Sequence, residues 1–199
     1  MVKYPNGLNK KVIQTTTKTF ANRGMNLEFL INQSNEYYLD LDIANIHKKP
    51  TPITIVNVDY PSRNKAKITE AYFKTPSTTD YNGVYKSRAI DFEAKDCNSN
   101  TSFPLKSIHE HQIKHLKSVL HHGAIAFVLL RFNKFDEVYY IDAKLVIEFY
   151  YKPERKSLSY KWVKENGYLI PLTYNPPINY IKVIDKLYFE EELWVLIKK

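Results

Sequence analysis

The first apolar pattern along the chain has helical spacing. Leucine, isoleucine and tyrosine side chains recur at intervals of about three or four residues up to Leu41, which predicts a helix beginning at Asn22. We expect it to end at Lys48-Lys49-Pro50, because the residue before a proline is pushed out of the α region. Glu28 lies among the apolar positions of this helix, and the spacing is equally consistent with a functional carboxylate and with a solvated one.

Two predicted strands with a basic turn between them follow this helix. Residues 53–58 and 68–73 are rich in the β-branched and aromatic side chains that strands favour. Arg63, Lys65 and Lys67 lie at or beside the turn. We predict a hairpin with a basic tip, which is either an element that probes a groove or branch point of a nucleic acid or a solvated β-turn.

The middle of the chain combines a strand pattern with charged residues. On a strand, Asp91, Glu93 and Lys95 share one face, because side chains alternate with a period of two. Asn82-Gly83 is a strong signal for a two-residue hairpin turn, which we expect to fold Asp80 back beside Glu93. Like charges on one strand face repel unless a cation or a phosphate compensates them. The pattern therefore favours a site over a merely solvated face.

These residue types together indicate a particular chemistry. Two carboxylates, Asp80 and Glu93, fit a hard divalent cation such as Mg²⁺, and Lys95 is then free for a water or a phosphate. This combination predicts phosphodiester chemistry. A hairpin with a solvated charged face is the competing interpretation of the same residues.

A second helix is predicted after this strand. Ser107 and Glu110 have the spacing of a capping box, and Gly123 is placed to close the helix. Gln112 falls on the apolar stripe of this helix, where a buried amide needs hydrogen-bond partners. Its carbonyl oxygen is also a competent ligand for a hard metal ion.

Two histidines of the same helix form a candidate metal pair. His111 and His115 are four residues apart and face alike. Helical zinc motifs need a third ligand and a placed acid. We therefore favour phosphate contact or hydrogen bonding at the helix surface over zinc binding.

The remaining apolar pattern completes an α/β arrangement. The continuous apolar run 124–132 predicts a strand buried on both faces. A further strand is predicted at 138–141 and a helix at 142–151, whereas the pattern does not fix the type of the final segment up to Lys199.

Charge and composition indicate a polyanionic partner. Lys and Arg number 29 against 21 Asp and Glu, a net charge of +8. Sixteen tyrosines and ten phenylalanines suit an aromatic core, and some of them could stack on unpaired bases. The length of 199 residues suits one domain, which we place at residues 21–199 after a basic, flexible arm at residues 1–20 that could contact phosphates.

The compartment follows from what the chain lacks. Cys97 is the single cysteine, so no intramolecular disulfide forms and a reducing compartment fits. The first residues lack the apolar core of a signal peptide, and no apolar run approaches the length of about 20 residues that a membrane span needs. We predict a cytoplasmic protein without a membrane partner.

Several motifs together resemble one known family. The sequence is similar to the RecU family of bacterial Holliday-junction resolvases, which have the PD-(D/E)xK nuclease architecture. The resemblance covers most of residues 20–185, and its matching pieces, in family order, are Asn22-Arg23-Gly24-Met25 with Leu27-Glu28, Lys49-Pro50-Thr51-Pro52-Ile53, Ser77-Thr78-Thr79-Asp80-Tyr81-Asn82-Gly83, Asp91-Phe92-Glu93-Ala94-Lys95, and Phe103-Pro104-Leu105 followed by His111-Gln112-Ile113.

The resemblance implies a fold and a site. The fold would be a restriction-endonuclease-like mixed β-sheet flanked by helices, with a projecting β-hairpin stalk at about residues 53–73. Lys95 would be the catalytic lysine, acting with Asp80 and Glu93. The metal, Mg²⁺ with Mn²⁺ as an alternative ion, would be bound by Thr78, Asp80, Glu93 and Gln112. Candidate DNA contacts are Arg23, Arg63, Lys65 and Lys67.

The resemblance also implies a function and partners. A homodimer would resolve four-way DNA junctions by two symmetric nicks during homologous recombination and repair, and the strand-exchange recombinase would be a further partner. The departures from the family pattern are Ser87, Asp96-Cys97 and Ala124, and none removes a chemical group from the site. The alternatives are another PD-(D/E)xK DNA nuclease and a catalytically inactive basic DNA-binding protein.

Overall fold

The computed structural model describes residues 26–74, 78–152 and 154–190. Within these residues the strands are β1 (Asn45–Lys48), β2 (Ile53–Asp59), β3 (Lys67–Phe73), β4 (Tyr81–Tyr85), β5 (Arg88–Cys97), β6 (Ser102–Pro104), β7 (Ile125–Phe132), β8 (Glu137–Asp142), β9 (Ser157–Ser159) and β10 (Tyr168–Ile170). The α-helices are α1 (Leu27–Asp40), α2 (Glu110–His121), α3 (Ala143–Tyr150), α4 (Tyr160–Asn166) and α5 (Tyr180–Tyr188). The final segment of undecided type therefore contains a helix, α5.

The fold centres on a six-stranded mixed sheet in the order β1-β4-β5-β7-β8-β10. The pair β5 and β7 is parallel, and the other neighbours are antiparallel. Helices α1 and α5 cover one face, and α2, α3 and α4 cover the other. The predicted mixed sheet flanked by helices is confirmed. No helix among these elements is long and apolar enough to cross a membrane.

Strand β7 shows why the sheet has a core on each face. All eight of its residues are buried, and they alternate between the two cores: Phe127 and Leu129 pack on the side of α1 and α5, and Val128 and Leu130 on the side of α2 and α3. The strand predicted at 124–132 is thereby confirmed. The predicted strand at 138–141 and helix at 142–151 correspond to β8 and α3.

The first helix differs from the prediction at both ends. It begins at Leu27, because the Asn26 side chain caps it by accepting from the Phe29 N–H at 2.8 Å. Asn22, where we expected the start, lies outside the described residues. The helix ends at Asp40, ahead of the Lys48-Lys49-Pro50 stop, because β1 lies in between.

The turn predicted at Asn82-Gly83 was wrong. Both residues lie within β4, and the chain reverses at Lys86 and Ser87, whose φ values are positive at 45° and 62°. Gly83 is needed for another reason: a Cβ there would lie 2.1 Å from the Asn45 carbonyl oxygen of β1. The glycine therefore permits close approach of a neighbouring strand.

The start of α2 also differs from the predicted capping box. Ser107 belongs to a short 3₁₀ helix, Leu105–Ser107, and the N-cap of α2 is His109. Gln112 completes that cap, because its Oε1 accepts from the His109 N–H at 2.9 Å. At the other end Gly123 follows the C-cap His122 with φ 85°, as predicted for a closing glycine.

Strands β2 and β3 form the predicted stalk. Within the described part of the chain they pair only with each other, as a separate two-stranded antiparallel sheet, and every one of their residues is exposed. Cross-strand partners share a face, and the pairs sort by polarity. The apolar pairs are Ile53 with Phe73, Ile55 with Ala71 and Val58 with Ile68; the polar pairs are Thr54 with Tyr72, Asn57 with Glu70 and Asp59 with Lys67. Register shifts between Ile55 and Asn57 and between Asn57 and Val58 interrupt the regular alternation of the strands. The stalk thus exposes several apolar pairs to solvent beside its polar ones.

Candidate active site

The candidate site lies where three parts of the fold meet: the residues leading into β4, the middle of β5 and the first turn of α2. The alternation predicted for β5 is present. Ile90 and Phe92 pack into the core beneath α1 and α5. Asp91, Glu93 and Lys95 face the α2 side. There His115 contacts Asp91 and Gln112 contacts Glu93, and Lys95 pairs with Glu93 itself.

Asp80 lies beside Glu93, as predicted, although the turn that brings it there is at Lys86 and Ser87. The backbone N–H of Asp80 donates to Glu93 Oε2 at 3.2 Å, and Asp80 Oδ2 accepts from the Ala94 N–H at 3.3 Å. A two-residue turn at Asn82-Gly83 would have placed Asp80 opposite Tyr85. The observed register pairs Tyr81 with Phe92, which places Asp80 opposite Glu93.

The Glu93 side chain has no solvent exposure, and each of its oxygens has partners. Glu93 Oε1 accepts from Lys95 Nζ at 2.8 Å and from Gln112 Nε2 at 2.6 Å. Gln112 is itself only 5% exposed, and its oxygen is used by the α2 cap. The structure therefore brings together four predicted residues, Asp80, Glu93, Lys95 and Gln112.

The electrostatics of Glu93 favour a nearby cation. Burial, and after it the Asp80 carboxylate, together raise the pKa of Glu93 to about 8, although Lys95 acts in the opposite direction. Ionising a buried carboxylate costs free energy, and a positive charge brought close to it stabilises the ionised form. A divalent metal would supply that positive charge and favour the ionised form of Glu93.

The donor set consists of hard oxygens. Thr78 begins the segment that carries Asp80, and its hydroxyl donates weakly to the Thr79 carbonyl at 3.4 Å. Among the described residues no cluster of three or more His, Cys, Asp or Glu side chains is placed to hold a metal ion. The residues nevertheless fit Mg²⁺, since two carboxylates, a hydroxyl and waters supply the oxygen ligands that this ion prefers. Binding through the Gln112 oxygen would require that oxygen to leave the α2 cap.

A second buried carboxylate, Asp91, adjoins the site. Asp91 Oδ2 accepts from Lys49 Nζ at 2.9 Å and lies 3.2 Å from His115 Nε2, while Oδ1 accepts from the Thr79 hydroxyl. Burial alone would raise the pKa of Asp91, but the hydrogen bonds from His115, Thr79 and Lys49 outweigh it and hold that pKa below its usual range.

Sequence reasoning missed the roles of Lys49, Thr79 and His115. Lys49 and Thr79 lie within stretches that matched the family, which was the available signal, but their partner depends on how separate strands pack. His115 was considered as half of a zinc pair with His111. It bonds Asp91 instead, in line with the favoured interpretation of hydrogen bonding on the helix.

Glu28 occupies an intermediate position. It pairs with Lys48 across 2.5 Å and is about half exposed. It also lines the same open pocket as Asp80 and Asp96. Glu28 is thus a solvated carboxylate at the edge of the site. Its spacing allowed either a functional or a solvated carboxylate, and its position has features of both.

The candidate DNA contacts are distributed away from this pocket. Arg63 and Lys65 lie in the short 3₁₀ helix at the stalk tip, and Lys67 is the first residue of β3. All three are exposed. Arg23 and the predicted arm at residues 1–20 lie outside the described residues.

The pKa of Glu93 predicts a pH dependence of stability. Its value is 4.5 in an ordinary environment and about 8 in the fold, so the folded state holds a proton that the unfolded state releases. Stability contributed by this residue is therefore present at low pH and is lost as the pH rises from 4.5 to about 8.

Thermal unfolding without divalent ions tests this dependence. We expect the Tm of the wild type to fall across that window more steeply than the Tm of Glu93→Gln, by at least a few degrees. Added Mg²⁺ should flatten the wild-type curve only. Parallel curves for the two proteins would show that Glu93 does not carry the raised pKa.

Comparison with known proteins gives the family. The family model described as Recombination protein U, RecU, matches residues 22–186. A protein of Bacillus cereus (strain B4264) named Holliday junction resolvase RecU is 50% identical over 199 residues, covering 94% of this chain and 98% of that protein. A protein of the same name from Bacillus thuringiensis (strain Al Hakam) is 50% identical over 197 residues with the same coverages.

A solved structure was also found. It is Hjc of Archaeoglobus fulgidus, described as a Holliday junction resolvase, with a TM-score of 0.38, 9% identity and coverage of 66% of this chain and 88% of that chain. We draw nothing from a likeness of that size. The match of the family model and the identity with the two Bacillus proteins, both spanning most of the chain, show that the chain belongs to the RecU family.

Proposed function

We propose that this protein is a Mg²⁺-dependent endonuclease that resolves four-way DNA junctions by paired symmetric nicks, in homologous recombination and DNA repair. The observation that carries the proposal is the fully buried Glu93 carboxylate, which is shared by Lys95, Gln112 and the Asp80 backbone. The name of the Bacillus relatives, Holliday junction resolvase, supports the substrate.

The chain's own residues divide the chemistry. Asp80 and Glu93 would hold the metal, with Thr78 and Gln112 as the neutral oxygen donors. A bound Mg²⁺ supplies Lewis-acid stabilisation of the phosphate and makes a bound water more acidic. Gln112 orients the Glu93 carboxylate by its hydrogen bond, and Lys95 presents a positive charge to the phosphate oxygens as charge develops on them.

The substrate would be recognised mainly through phosphates. The net charge of +8 supplies affinity for any DNA, and shape then selects the branched form. Two strands must be cut at related points, so we propose a homodimer with two matched sites. The exposed apolar pairs of the stalk offer a surface to a second copy. A strand-exchange recombinase as a partner and a cytoplasmic location stay predictions from the sequence.

Nicking assays on three substrates test the proposal. A four-way junction, a duplex of the same sequence and the single strand should be compared at saturating protein, with Mg²⁺, with Mn²⁺ and with a chelator. We expect cleavage of the junction alone, in either metal. Equal cutting of the duplex would favour another nuclease of this fold, and binding without cutting in any metal would favour an inactive DNA-binding protein.

The stalk tip should act on recognition alone. Replacing Arg63, Lys65 and Lys67 together by alanine should weaken junction binding far more than duplex binding, because these exposed charges lie on the projecting hairpin. The cleavage rate of the fully bound complex should stay nearly unchanged. Binding isotherms for both DNAs and a single-turnover rate are the measurements.

The control replaces three exposed lysines away from the stalk, Lys114, Lys161 and Lys164. An equal loss on junction and duplex, with an unaltered sedimentation coefficient, would leave the tip as one more phosphate contact. A changed sedimentation coefficient with loss of all DNA binding would instead make the stalk a dimer contact.

A further inference from the structure

Asp91 receives hydrogen bonds from three separate parts of the fold. Lys49 follows β1, Thr79 precedes β4, and His115 lies in the second turn of α2. The Asp91 side chain is only 9% exposed. Lys49 Nζ also donates to the Thr79 hydroxyl at 2.8 Å. Lys49, Thr79 and the Asp91 carboxylate are therefore hydrogen-bonded to one another in a closed ring.

Each of these connections leads to a predicted site residue. Thr79 is the residue between Thr78 and Asp80. The Lys49 backbone N–H donates to the Asp80 carbonyl at 2.8 Å, so Lys49 fixes Asp80 by its main chain while its side chain binds Asp91. Asp91 therefore ties the segment of Asp80 to β5, two residues before Glu93.

The link to α2 works in the same way. His115 lies three residues after Gln112, one turn along the helix and on the same side. Asp91 holds His115 while Glu93 holds Gln112, so two neighbouring carboxylates of β5 secure two successive turns of α2. The orientation of Gln112 toward Glu93 thus depends partly on Asp91.

Asp91 has no oxygen left for a direct role. Oδ1 is taken by Thr79, and Oδ2 is shared by Lys49 and His115. Asp80, by contrast, has fewer contacts, because its Oδ2 has a single backbone donor at 3.3 Å. The hydrogen bonding therefore separates Asp91, whose oxygens are both used within the protein, from Asp80, which retains capacity for a ligand.

We propose that Asp91 is a positioning residue, which sets the separation of Asp80 from Glu93 and the orientation of Gln112 through Thr79, Lys49 and His115. This role rests on the proposed metal-dependent function. Loss of a partner that orients metal ligands typically costs about 10- to 100-fold in metal affinity. We expect an effect of that size at Asp91, without any contact between Asp91 and the metal.

Asp91→Asn is the direct test, because it keeps the shape and removes the charge. Calorimetric titration of the DNA-free protein with Mn²⁺ alone should give a dissociation constant at least about tenfold weaker than that of the wild type. Junction affinity without metal should not change. Raising the Mn²⁺ concentration should restore part of the nicking rate.

A matched control separates this role from stability. Away from the site, the Glu137 carboxylate accepts hydrogen bonds from two hydroxyl groups, that of Tyr139 at 2.6 Å and that of Tyr160 at 2.7 Å. Glu137→Gln should lower the Tm and leave the Mn²⁺ affinity unchanged. If both variants lower the Tm and only Asp91→Asn weakens Mn²⁺ binding, Asp91 positions the site.

Thr79 supplies a second variant that does not depend on removing a buried charge. Thr79→Val removes the hydroxyl that bonds Asp91 and should weaken Mn²⁺ binding, whereas Thr79→Ser keeps it and should bind as the wild type does. Wild-type affinity in either Asp91→Asn or Thr79→Val would overturn the positioning role. A wild type that neither binds Mn²⁺ nor nicks a junction would overturn the proposed function, and the positioning role with it.

Discussion

Alanine at position 80 should abolish nicking of a four-way junction in Mg²⁺ and leave junction binding intact or tighter. Asp80 lies opposite the buried Glu93 carboxylate and is the more open of the two acids, because its Oδ2 has one backbone donor at 3.3 Å. Its removal takes away a proposed metal ligand together with one negative charge that repels the DNA phosphates. Cutting should therefore be lost while junction binding is kept or strengthened.

The separation of the two effects is measurable in one set of reactions. Single-turnover cleavage and filter binding should be compared for the wild type, Asp80→Ala and Glu93→Ala, with Asp40→Ala as a control that removes an exposed acid at the end of α1. The control should cut at the wild-type rate. Cleavage by Asp80→Ala or Glu93→Ala at that rate would place the metal site elsewhere.

Lys95→Ala should slow the chemical step by on the order of 100-fold or more, the scale typical of losing one preorganised electrostatic group. Lys95 Nζ lies 2.8 Å from Glu93 Oε1, and its side chain is 20% exposed. The ammonium is therefore held beside Glu93, a proposed metal ligand, while one side of it remains open to a phosphate. A role in the chemical step should leave junction affinity nearly unchanged.

Lys114 provides the control for this variant. It also pairs with a glutamate, Glu110, across 2.7 Å, but both side chains are about two-thirds exposed, and such a pair contributes little. Lys114→Ala should cut at the wild-type rate. If Lys95→Ala did so as well under single-turnover conditions, Lys95 would serve only to neutralise Glu93.

Strand β5 could be predicted from sequence because its signal is local. Charged Asp91, Glu93 and Lys95 alternate with Ile90 and Phe92, and a period of two holds whatever the strand pairs with. The burial of both faces of β7 could also be predicted, from its continuous run of apolar residues.

The turn between β4 and β5 could not be placed by the same reasoning. Asn82-Gly83 has the composition of a hairpin turn, but the glycine meets a different requirement, the approach of β1. That edge strand has four residues with one buried side chain, Ile46, which is too weak a pattern to detect. The real turn, Lys86-Ser87, has no glycine at its positive φ values.

The contacts of Asp91 could not be predicted from the sequence either, for a different reason. Lys49, Thr79 and His115 are separated from Asp91 by 42, 12 and 24 residues, and their convergence depends on how three elements pack. Gln112 could be predicted to need partners from its place on an apolar stripe. Which partners it would have, the His109 N–H and Glu93, followed only from the true start of α2.

The positions of the nicks on a four-way junction distinguish metal-dependent resolution from other cleavage. Each strand should be end-labelled in turn and incubated with the wild type in Mg²⁺ and in a chelator. We expect nicks at matching positions in two opposed strands, ligatable products, and cutting only when the metal is present. Cutting that persists in the chelator, or that falls equally on the duplex arms and on a linear duplex, would contradict that expectation.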